Sequence, residues 1–106
     1  MRIALFGDIH ANLEALNTVL EDGEQQGVTD WVCTGDVVGY NANPSECLEI
    51  VRGMDIPIVK GNHDEDASGS HSLENMNPIA AEALDWTRQH LSDEQREWLR
   101  KLRMVR

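Results

Sequence analysis

Three short apolar runs punctuate this chain, and each is closed by a glycine and polar residues. Ile3-Ala-Leu-Phe6 leads into Gly7-Asp8-Ile9-His10, Trp31-Val-Cys-Thr34 into Gly35-Asp36, and Ile56-Pro-Ile-Val59 into Lys60-Gly61-Asn62-His63-Asp64. Runs this short do not make helices, and the first shows no alternation, so it reads as a strand buried on both faces, as in parallel sheets with helices above and below. Pro57 fits best at the beginning of the third strand.

Between the runs the apolar period changes. Asn12 is placed to cap a helix carrying Leu13, Leu16, Val19 and Leu20 on one face, with Glu14, Glu21 and Glu24 outside and Gly27 at its end. Asn43-Pro44-Ser45-Glu46 marks a second helix start, with Asn43 as cap and Glu46 reaching back. Cys47, Leu48, Ile50 and Val51 form its buried face. The order strand, helix, strand, helix, strand predicts right-handed crossovers and an α/β fold, a parallel βαβαβ sheet flanked by helices. From 65 to 77 the composition turns to Ser, Gly, Asp, Glu and His, which predicts a solvated loop. Asn77-Pro78 then opens a helix bearing Ile79, Ala83, Leu84 and Trp86, and Ser92-Asp-Glu-Gln95 is a capping box for a last helix with Trp98, Leu99 and Leu102.

Length confines this plan to a single domain, since the chain has 106 residues. Charge narrows the chemistry. A formal net charge of -10 argues against a nucleic-acid backbone or an anionic membrane as partner. An acidic cleft does attract divalent cations, and bound cations reverse the local field, so action on phosphates would have to be metal-borne. Arg100, Lys101, Arg103 and Arg106 gather at the end of the chain, where basic residues complement a helix C-terminus. Cys33 and Cys47 form no CxxC pair, and the opening run is too short for a signal peptide, so reduced thiols in a cytoplasmic protein are expected.

In a parallel sheet all three runs end at one edge. Asp8 and His10, then Asp36, then Asn62 and His63 would therefore project into one crevice. Asp8 and His10 stand two apart, which in extended chain sends both side chains to the same side. The reading is a metal cluster with Asp8, His10, Asp36 and Asn62 as ligands, Asp36 having two oxygens with which to bridge two ions. Taken singly, these aspartates and Asn62 would pass as turn or cap residues and the histidines as satisfied polar groups. Their recurrence at three strand ends favours the cation.

Asp8-Ile-His10, Gly35-Asp36-Val-Val-Gly39 and Gly61-Asn62-His63-Asp64, in this order and spacing, resemble the signature of the calcineurin-like metallophosphoesterases. The stretch around Gly39-Tyr40 and Asn43-Pro44, with the helix from Asn77 to His90, is similar to the compact prokaryotic phosphodiesterase branch. The resemblance implies the N-terminal half of an αββα sandwich, with residues 1–106 as one apparently truncated domain. It implies that Asp8, His10 and Asp36 hold a first metal, that Asp36 and Asn62 reach a second, and that His63 is the catalytic proton donor or charge stabiliser. Two divalent ions, manganese favoured and iron, zinc or nickel also suited, would activate a hydroxide for attack on a phosphodiester.

The departures matter as well. The family carries a later Gly-His-x-His motif, and nothing after Asp64 supplies it, so part of the dimetal site is missing from this chain. His71 in the polar loop is a weak substitute, and His90 reads as a surface residue at a helix end. Where protein phosphatases of the superfamily have Asp-Arg, this chain has Gly39-Tyr40. Small phosphate esters are thus expected as substrates, with Tyr40, Asn41 and Asn43 lining a cleft and Asp64 beside it as a partner for His63. A lone first half would expose an apolar sheet face and an unpaired edge, which predicts a homo-oligomer or a complementing C-terminal half. Two other readings stay open: a non-catalytic metal-binding fragment or interaction module, and a nucleotide-binding α/β domain that lacks the usual glycine-rich phosphate loop.

Overall fold

In the computed structural model, which describes residues 1–69 and 72–104, β1 (Ile3–Phe6) and β2 (Asp30–Cys33) pair in parallel, Ile3 opposite Asp30 and Phe6 opposite Cys33. A parallel pair needs a crossover, and α1 (Leu13–Gln25) supplies it. The chain continues through α2 (Pro44–Met54), α3 (Asn62–Ser68), α4 (Pro78–Gln89) and α5 (Asp93–Lys101). This is an α/β architecture. His71 and Arg106 lie outside the described residues.

Three expectations need correction. The third strand, 56–59, survives only as isolated parallel bridges, Cys33 to Ile58 and Val59 to Arg103. Pro57 has no N–H to give; its carbonyl accepts the Cys33 N–H at 3.0 Å and the Val59 N–H donates to the Cys33 carbonyl at 3.1 Å, while on the other edge the Lys60 N–H donates to the Arg103 carbonyl at 2.6 Å. Second, β1 is covered on one face only. Ile3 and Leu5 are 54% and 71% exposed, whereas the alternate Phe6 packs edge-on against Trp31 with ring centroids 5.7 Å apart. Third, the polar stretch 65–77 is not loop throughout, because its first residues complete α3.

The helices follow their caps. The Asn12 side chain accepts the Ala15 N–H at 3.0 Å, and Ser92 and Gln95 close the expected capping box, each accepting the other's backbone N–H at 3.0 and 2.9 Å. Asn43 stands at the start of α2 but caps no backbone group; its amide donates to Glu46 instead, at 2.7 Å. Leu16, Cys33, Leu48, Val51, Ile58, Leu84 and Leu99 share one core with Val37 and Val38, which belong to the loop after β2. Cys33 and Cys47 are free and buried, and burial pushes both thiols up to about 11.

That loop enters the core because of Asp64. Its carboxylate is fully buried and accepts the backbone N–H groups of Asp36, Gly61 and Val37 at 2.8, 3.0 and 2.9 Å, with Val38 more distant at 3.4 Å. Burial pushes the carboxyl upward, and the N–H groups pull against that shift. At the other end of α3, arginines donate to carbonyls of the last turn: Arg88 to the Asp66 oxygen at 2.8 Å, Arg96 to the Ala67 oxygen at 3.1 Å, Arg100 to the Ser68 oxygen at 2.7 Å. A helix of only seven residues is thus secured at both ends.

Removing the Asp64 acceptor would strand buried amides, each costing about 1–3 kcal/mol. Asp64→Ala is expected to lower unfolding free energy by about 3–5 kcal/mol in urea titrations, with Asp64→Asn intermediate because one oxygen survives. An Asp64→Ala midpoint equal to that of the unsubstituted protein would refute the clamp.

Candidate metal centre

Past their last paired residues the two strands keep exchanging backbone hydrogen bonds. Asp8 N–H donates to the Gly35 carbonyl at 3.0 Å, His10 to Asp36 at 2.9 Å and Ala11 to Val37 at 2.8 Å. The chain here is not extended as expected. Asp8, His10, Ala11 and Asp36 have φ of 51, 47, 59 and 54°, the left-handed region that non-glycine residues avoid at a cost of about 1–3 kcal/mol each. Left-handed turns, not strand alternation, bring Asp8 and His10 together.

The result is a three-residue cluster. Asp8, His10 and Asp36 each offer a donor atom within 4.8 Å of the others, two oxygens and a nitrogen. A single ion with donors at about 2.0–2.2 Å nearly spans that separation, and the O,N,O set suits a divalent metal. His10 Nε2 lies 3.8 Å from an Asp8 oxygen, while its Nδ1 is 3.2 Å from the Val38 carbonyl. A proton on Nδ1 donates there and leaves the Nε2 lone pair facing the cluster, the usual arrangement of a ligating histidine. Asp8 is exposed, whereas His10 and Asp36 are half-buried, so the cluster opens to solvent on one side.

α3 approaches the cluster by its first turn. Asp36 Oδ1 accepts the His63 N–H at 3.0 Å, and Gly61 lies so close that a Cβ there would sit 2.1 Å from the same oxygen. Asn62, exposed, stands between these two neighbours of Asp36. The His63 ring has its Nδ1 edge toward Gly39, where a Cβ would be 2.8 Å away. Its ring centroid is 4.7 Å from that of His10 and 4.5 Å from Tyr40, and Tyr40 is 4.9 Å from His10. Three rings therefore stand mutually in contact beside the carboxylates.

The residues expected in the cleft divide. Tyr40, itself left-handed with φ of 70°, and Asn41 line the cavity of about 230 Å³ that Asp8 and His10 also line. Asn41 is partly committed, its amide donating to the His10 carbonyl at 2.9 Å. Asp64 is a correction. Fully buried and engaged with backbone amides, its carboxylate belongs to the scaffold and lines no cleft, and none of its hydrogen bonds among the described residues reaches the His63 ring. His90 caps α4 and stacks on Trp86 at 3.8 Å. The Val38 carbonyl, which orients His10, carries no side-chain signature and was not foreseeable from the sequence.

Comparison with known proteins agrees with this geometry. The family model described as calcineurin-like phosphoesterase matches residues 1–103. The uncharacterized protein MJ0912 of Methanocaldococcus jannaschii is 43% identical over 103 residues, 97% of this chain and 42% of that protein. The crystal structure of a metallophosphoesterase from Sphaerobacter thermophilus superposes with a TM-score of 0.78 at 43% identity, covering 96% of this chain and 41% of that one. The chain thus spans about two-fifths of the length of these relatives.

The contact between Gly61 and Asp36 can be tested apart from the donors themselves. In calorimetric titration with manganese, Asp36→Ala is expected to abolish binding. Gly61→Ala, which keeps every donor but displaces the Asp36 carboxylate, should weaken it about 10- to 100-fold. Unchanged affinity in both variants would rule out Asp36 as a ligand.

Proposed function

Because this chain belongs to the calcineurin-like phosphoesterase family, we propose that it hydrolyses phosphate esters, phosphodiesters foremost, with part of its metal site supplied from outside residues 1–106. The family is divalent-metal dependent, and the convergence of Asp8, His10 and Asp36 within 4.8 Å is the observation that carries the reading. Asp8, His10 and Asp36 would hold the first ion, with Asn62 reaching a second from the start of α3. Manganese is favoured; iron, zinc and nickel fit the same mixed donors. When bound, such ions polarise phosphoryl oxygens and acidify water.

The protein's own residues supply the rest. Asp36 accepts the His63 N–H at 3.0 Å, which ties the metal-facing carboxylate to the residue assigned to proton donation. His63 is assigned to give a proton to the departing alkoxide, which a diester needs because its leaving group is poor. Tyr40 packs on both imidazoles, 4.9 Å from the His10 ring and 4.5 Å from the His63 ring. Small phosphate esters are the substrate class in view, and two buried free thiols suit a reducing, cytoplasmic setting.

The exposed Ile3 and Leu5 support a second element of the proposal. That apolar face of β1 is to be covered by another copy of the chain or by polypeptide equivalent to the rest of the relatives. The alternative of a non-catalytic metal-binding fragment draws on the same face together with the two-fifths coverage.

Hydrolysis of a chromogenic phosphodiester with added manganese separates these. Activity is expected to vanish in Asp36→Ala and to fall about 10²- to 10⁴-fold in kcat in His63→Gln; activity indifferent to Asp36→Ala would reject the catalytic assignment. Light scattering of the isolated chain should show self-association, reduced by Leu5→Lys. A stable monomer at low micromolar concentration would count against the uncovered face.

A further inference from the structure

We infer that the groove between Tyr40 and α4 receives the leaving group of the phosphate ester, and that this group is a flat aromatic alcohol without negative charge. The inference rests on the phosphoesterase reading and names the substrate class for that same site.

The path starts at His63. A cavity of about 210 Å³ there is lined by His63, Tyr40, Met76 and Ala83. Tyr40 and Ala83 are also walls of a larger open groove of about 400 Å³, completed by Ile79, Glu82 and Trp86. The two spaces adjoin across Tyr40 and Ala83, the first beside the imidazole and the second beside the indole. A proton donor must stand within hydrogen-bond reach of the departing oxygen, so the carbon skeleton on that oxygen begins at His63 and meets Tyr40 first.

The walls select its character. Ile79, Ala83 and Trp86 recur at helical spacing on α4 and present an apolar stripe toward Tyr40, while Ile79 is 79% and Trp86 38% exposed. Two aromatic side chains bounding a groove favour a planar ring, which packs edge-on or offset against them. The size lies within the range of small-molecule sites and exceeds what a methyl or ethyl group fills. Glu82 places a carboxylate on the wall and disfavours an anionic leaving group, as the formal charge of the whole chain also does.

The test uses the full chain with manganese and two phosphonates that cannot lose an alcohol, naphthalen-2-ylmethylphosphonate and methylphosphonate, with affinity read by calorimetry. The naphthyl compound is expected to bind at least tenfold more tightly. Trp86→Ala and Ile79→Ser should each remove most of that advantage, Trp86→Phe should keep it, and methylphosphonate affinity should be the same in all. Ile79 is exposed, so its substitution guards against a folding artefact at Trp86. Equal affinity for the two phosphonates, or a naphthyl advantage that survives both Trp86→Ala and Ile79→Ser, overturns the inference. In turnover, kcat/KM for methyl 2-naphthyl phosphate should drop about tenfold in Trp86→Ala, and clearly less for a diester bearing a fluoroalkyl leaving group of matched acidity, which offers no ring to the indole; an equal loss on both diesters also overturns it. If the unsubstituted chain hydrolyses neither diester, the phosphoesterase reading of this chain fails, and the phosphonate affinities still decide the groove.

Discussion

One buried carboxylate sets the geometry on which the rest of the structure depends. Asp64 accepts the backbone N–H groups of Asp36, Val37 and Gly61 within 3.0 Å, joining the loop after β2 to the start of α3. Hydrogen bonds to an ionised acceptor are stronger than neutral ones, and in a buried setting the penalty for breaking them is larger still. The same contacts decide where Asp36 points, because its backbone is fixed on one side by Asp64 and on the other by the His10 N–H at 2.9 Å. The left-handed conformations at Asp8, His10, Ala11 and Asp36 persist because this lattice over-determines them.

α3 inherits its position from both of its ends. Asp64 holds the N-terminus, and Arg88, Arg96 and Arg100, from α4 and α5, hold the carbonyls at the C-terminus. Those guanidinium groups bring positive charge and donors to the helix end where carbonyls gather. His63 and Asn62 sit in its first turn and move only if it moves. The basic residues near the chain's end thus act on α3 as well as on their own helix: Arg100 reaches the Ser68 carbonyl, while Lys101 remains in the last turn of α5.

Much of this was legible in the sequence. Asp8, His10 and Asp36 were singled out from their places after apolar runs, and the structure brings all three together. The capping signals at Asn12 and Ser92 were local chemistry and appear as read. The misses have a common cause, dependence on distant partners. α3 has no apolar period, and its only local signs were Gly61 preceding Asp64 by three and the acidic first turn. The third run makes only single bridges, to Cys33 on one side and to Arg103 on the other, and the pairing with Arg103 carries no signature at residues 56–59. The apolar run of β1 promised burial on both faces, but composition records what a strand needs and not whether this chain covers it.

The uncovered face and the candidate metal centre are mechanically separate. Among the described residues, the bonds that fix Asp8, His10 and Asp36 come from Gly35, Val38, Asn41, His63 and Asp64 and from the His10–Asp36 backbone pair, and none comes from the outer face of β1 where Ile3 and Leu5 stand. Covering that face therefore adds apolar burial, about 25 cal/mol for each Å² removed from water, and stabilises the sheet without having to reshape the cluster. The donor count is a different matter, because no stabilisation of the sheet adds a nitrogen or oxygen to the ion. A partner that only shields β1 would leave the three-donor cluster as it is, whereas one that completes the site must bring its ligands to the open side beside Asp8.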